Sequence, residues 1–163
     1  MPVTLAGSCR CGTISFSVQS HTPHPYMRCY CTICRKTAGG GGYAINLGAV
    51  SATLQVHGRT ALAVYRAEIE QDGTCRTSTA ERNFCAGCAS ALWLYDPTWP
   101  ELIHPFASAI DSDLPVPPET VHIMLRHKPG WVVPMVGPHD ACFDDYPVES
   151  IADWHRARGQ WVP

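Results

Sequence analysis

Seven of the nine cysteines in the 163-residue chain fall into three tight groups: Cys9 with Cys11, Cys29 with Cys31 and Cys34, and Cys85 with Cys88. Cys75 and Cys142 stand alone. In a reducing compartment, closely spaced thiols bind metal or react more often than they form structural disulfides. The first group reads C-x-C-G and the last C-x-x-C. Such knuckles bring two sulfurs onto one ion and leave backbone N–H groups free to donate to them, with Gly12 and Gly87 expected to allow the tight turns. Two pairs from distant parts of the chain, Cys9, Cys11, Cys85 and Cys88, would make a closed tetrahedral zinc site with Zn–S distances of about 2.3 Å. Closing so long a loop also restricts the unfolded chain and so stabilises the fold. The plainer alternative, buried thiols or a redox pair, leaves the paired spacing at both ends unexplained.

The middle group, C-x-C-x-x-C, offers three thiolates and no fourth partner at ligand spacing. Three protein ligands plus an open position characterise a catalytic zinc. Other readings stay open here. Cys75, Cys142 or one of the eight histidines could close the site, an iron–sulfur cluster could use a remote fourth cysteine, or the trio could be redox-active. For an open zinc, the donor set selects the chemistry. Three thiolates leave the ion with a net negative charge, a weaker Lewis acid than one held by three imidazoles, so a soft thiolate is favoured over activated water as fourth ligand. A substrate thiol would lose its proton on binding, which points to making or breaking a carbon–sulfur bond. Arg35 and Lys36 follow directly. They could bind carboxylates of a thiol substrate, Arg35 in bidentate fashion, or offset thiolate charge, or simply be solvated. The run from Gly39 to Gly42 lacks the Lys-Ser/Thr of a phosphate loop and is expected to be flexible or closely approached beside the metal.

The elements that position these groups are short. Fourteen prolines and thirteen glycines divide the chain and disfavour long helices. Period-two alternation marks strands: "TISFSV" places Ile14, Phe16 and Val18 on one face, and "TLQVHG" does so with Leu54 and Val56. "ALAVYRAE", "TCRTSTAERNFC", "ALWLYD" and "VHIMLRH" read as further strands. The one helix expected is "PVESIADWHRARG", with Pro147 in its first turn, Ile151 and Trp154 on one face and Gly159 at its C-terminus. The chain is read as a mainly β domain over residues 1–135 with an extension over 136–163 on the same domain. Cys75 is expected to be a buried, inert thiol in mid-strand, Trp93, Tyr95 and Trp99 to fill core or pocket wall, and Asp111 and Asp113 to form turns. His104, His122, His127 and His139 could each move a proton, although a lone strand histidine is more often structural. A formal charge of −2 and a pI near 6.4 argue against nucleic acid or an anionic membrane as partner. No apolar run is long enough to span a bilayer, and no basic start with an apolar stretch marks a secretory signal. The expected location is the cytoplasm, and exposed strand edges admit a homodimer.

The ordered motifs "GSCRCGTISFSV", "CYCTICRKTAGG" and "RNFCAGCASALW" resemble the glutathione-dependent formaldehyde-activating family, whose fold is similar to centromere protein V and to the β-tent of Mss-four-type zinc proteins. The resemblance extends to "AIDSDLPVPPETVHIMLRHKPGW" and covers about the first 131 residues. It implies twisted antiparallel sheets, a structural zinc on Cys9, Cys11, Cys85 and Cys88, and a catalytic zinc on Cys29, Cys31 and Cys34. The implied activity is a carbon–sulfur lyase reaction that joins formaldehyde to glutathione as S-hydroxymethylglutathione, or cleaves a similar adduct. By the same resemblance, His122 is the best-placed histidine. Two departures stand out. Tyr30 replaces a frequent histidine and could reshape the substrate pocket, and Ala89 replaces a usual glycine. The alternative function is a zinc scaffold of Mss-four or centromere protein V type that binds a partner without catalysis.

Overall fold

Alternation of side chains starts the architecture. In the computed structural model, which describes residues 1–163, strand β1 (Val3–Ser8) pairs antiparallel with β2 (Ser15–Ser20). Ile14, Phe16 and Val18 are all buried, as a strand with one inward face requires. The chain continues through β3 (Met27–Cys29), helix α1 (Thr32–Ala38), β4 (Ala44–Ile45), β5 (Ala49–Val50) and β6 (Gln55–His57). Then come β7 (Leu62–Tyr65), the hairpin β8 (Glu68–Gln71) and β9 (Thr74–Thr77), and β10 (Glu81–Cys85). Strands β11 (Ala91–Tyr95), β12 (Leu102–Pro105), β13 (Val121–Ile123), β14 (Ala141–Cys142) and helix α2 (Ile151–Ala157) complete it.

Besides the two-stranded β8-β9 hairpin, three sheets result, of order β1-β2-β6, β5-β12-β11-β10-β7 and β14-β13-β3-β4. The first two are antiparallel. In the third, β13 runs parallel to both β3 and β14, a departure from the all-antiparallel expectation. Alternation along a strand says which face is buried but not which way its neighbour runs, and the long stretch between β3 and β13 permits either direction.

Two buried clusters fill the interior. Leu5, Ile14, Phe16, Leu92 and Trp93 pack with Cys9 and Cys85 in one, where Phe16 meets Trp93 edge-on at 5.1 Å. Tyr26, Phe106, Ile123 and Trp154 pack with Cys29 and Cys34 in the other. Each principal cysteine group is thus rooted in its own core. The segment after residue 135 reaches the second core through Trp154, which stacks on Tyr26 at 3.7 Å.

Several local expectations shift. Helix α1 is an addition to the strands and loops expected, because seven residues between cysteines and glycines carry too little periodicity to reveal it. Helix α2 begins at Ile151 with Ser150 as its N-cap, the hydroxyl accepting from the Asp153 N–H at 3.1 Å, so Pro147 precedes the helix instead of opening it. "TCRTSTAERNFC" is two strands divided at 78–80, and "VHIMLRH" leaves the strand at Met124, whose φ is 61°. Cys75 lies on the exposed hairpin strand β9, not in a core.

Candidate metal and active site

The knuckles are built from backbone first. At the first, the Gly12 N–H donates to the Cys9 carbonyl at 2.9 Å, with Gly12 at φ 77°, where a side chain would be strained. The Ile14 N–H donates to Cys9 Sγ at 3.2 Å. At the last knuckle, Ala89 occupies the left-handed position, at φ 58°, and its N–H donates to the Cys85 carbonyl at 2.8 Å. The residue that turns the chain there is Ala89, not Gly87, which has no positive φ.

The sulfurs of Cys9, Cys11, Cys85 and Cys88 all lie within 4.8 Å of one another. Cys9 Sγ is 3.5 Å from Cys11 Sγ, which is 3.8 Å from Cys85 Sγ. A regular zinc tetrahedron with Zn–S bonds of about 2.3 Å has sulfur–sulfur edges of about 3.8 Å, so the donor set fits that ion. Hydrogen bonding from Ser90, first through its hydroxyl and then its N–H, lowers the Cys88 thiol to about 5, favouring the thiolate a metal needs.

The sulfurs of Cys29, Cys31 and Cys34 also gather within 4.8 Å, and no fourth cysteine, histidine or carboxylate joins them. Cys75 and Cys142 stay apart from both groups. Cys29 ends β3, Cys31 caps α1, and Cys34 lies in its first turn, its N–H donating to Cys31 Sγ at 3.3 Å. Hydrogen bonds from the Cys29 and Cys34 thiols hold Cys31 well below the usual thiol range. The two cysteine groups could therefore each hold a metal ion.

Sequence reasoning missed the cation that faces this trio. Arg82, only 8 % exposed on β10, directs both terminal guanidinium nitrogens at Cys34 Sγ, at 3.8 and 3.7 Å. Asn46 Nδ2 donates to the same sulfur at 3.9 Å. The signal for Arg82 was an arginine three residues ahead of Cys85 in a strand that otherwise enters the core. Arg35 and Lys36 lie on α1 with no ion pair, Lys36 exposed and Arg35 partly buried. Tyr146 also went unmarked. Desolvation and then the charges of Cys29, Cys31 and Cys34 push its phenol up, against the lowering effect of Arg82.

His122 is fully buried and sits beside Arg28 in the parallel pair, one position from the Ile123–Cys29 pair. Alternation therefore puts it on the opposite face from Cys29. Its Nδ1 is 2.9 Å from the Tyr30 hydroxyl and its Nε2 is 3.7 Å from Asp140 Oδ2. Tyr30, 1 % exposed, belongs to this buried chain. It braces the far side of the cysteine turn and does not line an open pocket. His127 and His139 are exposed. At the base of the glycine run, Gly42 has φ 91°, and a Cβ there would lie 2.4 Å from Val132, a close approach that only glycine permits.

Fold and site together define a class: a mainly β protein with two thiol clusters able to hold metal, one with four sulfurs and one with three. The sequence matches the glutathione-dependent formaldehyde-activating enzyme family over residues 4–126, and the chain belongs to that family. A relative from Halomonas elongata, provisionally named as a glutathione-dependent formaldehyde-activating enzyme, is 61% identical over 155 residues, 95% of this chain and 96% of its own. A Rhodobacter sphaeroides protein of known crystal structure aligns over 85% of this chain and 98% of its own, at 19% identity and a TM-score of 0.48. No helix is long and apolar enough to cross a membrane.

Proposed function

We propose that the chain is a zinc-dependent carbon–sulfur lyase of the glutathione-dependent formaldehyde-activating type. Cys9, Cys11, Cys85 and Cys88 would hold a structural zinc, and Cys29, Cys31 and Cys34 a catalytic one. The observation that carries this reading is the trio of sulfurs within 4.8 Å of one another without a fourth protein ligand, since a purely structural zinc is normally closed by four. When bound there, zinc would supply a soft position at which a substrate thiol is favoured as thiolate.

The protein's own groups make that position suitable for an anion. Arg82 places a fixed positive charge on Cys34 and offsets the excess negative charge of three thiolates. The Cys34 N–H holds Cys31, so the sulfurs remain oriented as ligands. The sulfur of glutathione would form a bond to the carbonyl carbon of formaldehyde. The thiol proton leaves, and one proton is delivered to the carbonyl oxygen, giving S-hydroxymethylglutathione with all atoms accounted for. The reverse step breaks the same carbon–sulfur bond. Arg35 and Lys36 are candidates for the substrate carboxylates.

Cobalt substitution tests the open position. Cobalt at two sites, with glutathione altering the optical bands of one and Cys31→Ser abolishing that response, is the expected result. Bands that glutathione leaves unchanged in the wild type would remove the basis for thiol chemistry at the trio.

A further inference from the structure

A cleft of about 380 Å³ opens away from both cysteine groups, beside β5, β12 and the first turn of α2. Trp99, Leu102, Ile151 and Trp161 contribute apolar surface, and His21 and His104 are its two imidazoles. That volume and that mixture, apolar walls with few polar groups, are typical of small-molecule sites.

The histidines have defined proton positions. His104 Nδ1 lies 3.0 Å from the Leu47 carbonyl oxygen, and His21 Nδ1 lies 2.6 Å from that of Val162. A carbonyl only accepts, so Nδ1 carries the hydrogen in both rings, and in the neutral imidazole Nε2 is a bare acceptor. Neither Nε2 hydrogen-bonds within the protein, and neither is a buried orphan, so both reach open space. Desolvation keeps His104 on the neutral side. The His21 side is rigid as well: its ring stacks on Trp161 with centroids 4.8 Å apart and planes 3° apart, and the Val162 N–H donates to its carbonyl at 3.0 Å. Arg156 covers the Trp161 ring at 4.2 Å. Fixed acceptors in a preformed apolar cleft lower the ordering cost of binding.

We propose that this cleft is a second ligand site, which takes a flat apolar or aromatic molecule bearing an O–H or N–H donor. The ring replaces water against the aromatic walls, and the donor is received by a bare Nε2. The site shares no residue with the cysteine trio, so its existence is independent of the lyase reading.

Indole and 1-methylindole test it as matched probes, because methylation removes the donor and keeps the ring. Each is titrated by calorimetry into the zinc-loaded protein, and long-range proton–nitrogen NMR follows the histidine Nε2 signals. Indole should bind saturably, shift the Nε2 of His104 or His21, and leave zinc content unchanged. 1-Methylindole should bind about tenfold more weakly, the scale of one lost hydrogen bond. Ala152→Trp, on the cleft wall, should abolish binding in a protein with wild-type zinc content and near-ultraviolet circular dichroism. His104→Phe and His21→Phe locate the acceptor, and one of them should reduce indole to the affinity of 1-methylindole. The proposal is overturned if indole does not saturate at millimolar concentration, if both probes bind equally, or if Ala152→Trp leaves binding intact.

Discussion

At the scale of single residues, a metal ion at the proposed three-cysteine site would draw on a charge supplied from another strand. Three thiolates overcompensate a divalent ion, and burial makes the excess costly unless a cation answers it. Arg82 meets that need by geometry as well as charge, since both of its terminal nitrogens reach one sulfur. Replacing it with methionine keeps much of its packing volume and removes the charge. We expect Arg82→Met to weaken zinc at the trio by about 10–100-fold, the usual range for a lost outer partner, without releasing zinc from the four-cysteine site. Chelator competition followed by metal analysis reads both sites in one experiment. Ala89 is a separate case. It carries a side chain in the left-handed region, at φ 58°, which costs an L-residue about 1–2 kcal/mol. Glycine relieves that strain and loses part of the gain to its freer unfolded chain. Ala89→Gly should therefore stabilise the protein by about 0.5–1 kcal/mol, measurable as a higher denaturation midpoint. The departure from the family's usual glycine was visible in the sequence, whereas its conformational cost became visible only with the backbone.

At the scale of elements, α1 shows why part of the site stayed illegible. The cysteine spacing was readable because ligand geometry is local, and so were the alternating strands around Ile14, Phe16 and Val18. Helix α1 was not, because its cap is a cysteine, a residue read as a metal ligand instead of a helix start. Nor could spacing find Arg82, whose partner Cys34 is 48 positions away and is met only through the tertiary fold. Cys31 carries both duties, as N-cap and as candidate ligand. Serine is among the best caps but a poor substitute for a thiolate at zinc, so Cys31→Ser separates the two. With metal chelated, Cys31→Ser should unfold within about 1 kcal/mol of the chelated wild type. With zinc restored, only the wild type should gain stability from the trio, as thermal melts across zinc concentrations would show. Loss of the fold in chelated Cys31→Ser, beside a folded chelated wild type, would contradict a transferable cap.

At the scale of the whole molecule, the last element locks onto the first half of the chain through a buried imidazole. His155 of α2 is fully buried. Its Nδ1–H donates to the Ile151 carbonyl at 2.8 Å, and its Nε2 accepts from the His24 N–H at 3.2 Å. The arrangement requires the neutral ring, because a proton on Nε2 would face another donor. Burial, above all, lowers the pKa to about 4, with the nearby His24 and Arg158 acting in the same direction. An unfolded histidine titrates near 6.5. Between about 6.5 and about 4 the unfolded chain therefore binds more protons than the native one, and stability falls as pH falls through that window. Above it the contribution is fully present. Acid also weakens thiolate–metal bonds, so the measurement must be a difference between two proteins that share the same cysteines. His155→Gln retains a donor and an acceptor without an ionisable group. Chemical denaturation at pH 7, 6 and 5 should give a steeper loss of stability for the wild type than for His155→Gln, the difference approaching about 2 kcal/mol by pH 5 at 1.36 kcal/mol per unit. Parallel pH profiles for the two proteins would mean that the contact between α2 and residue 24 does not set the acid response.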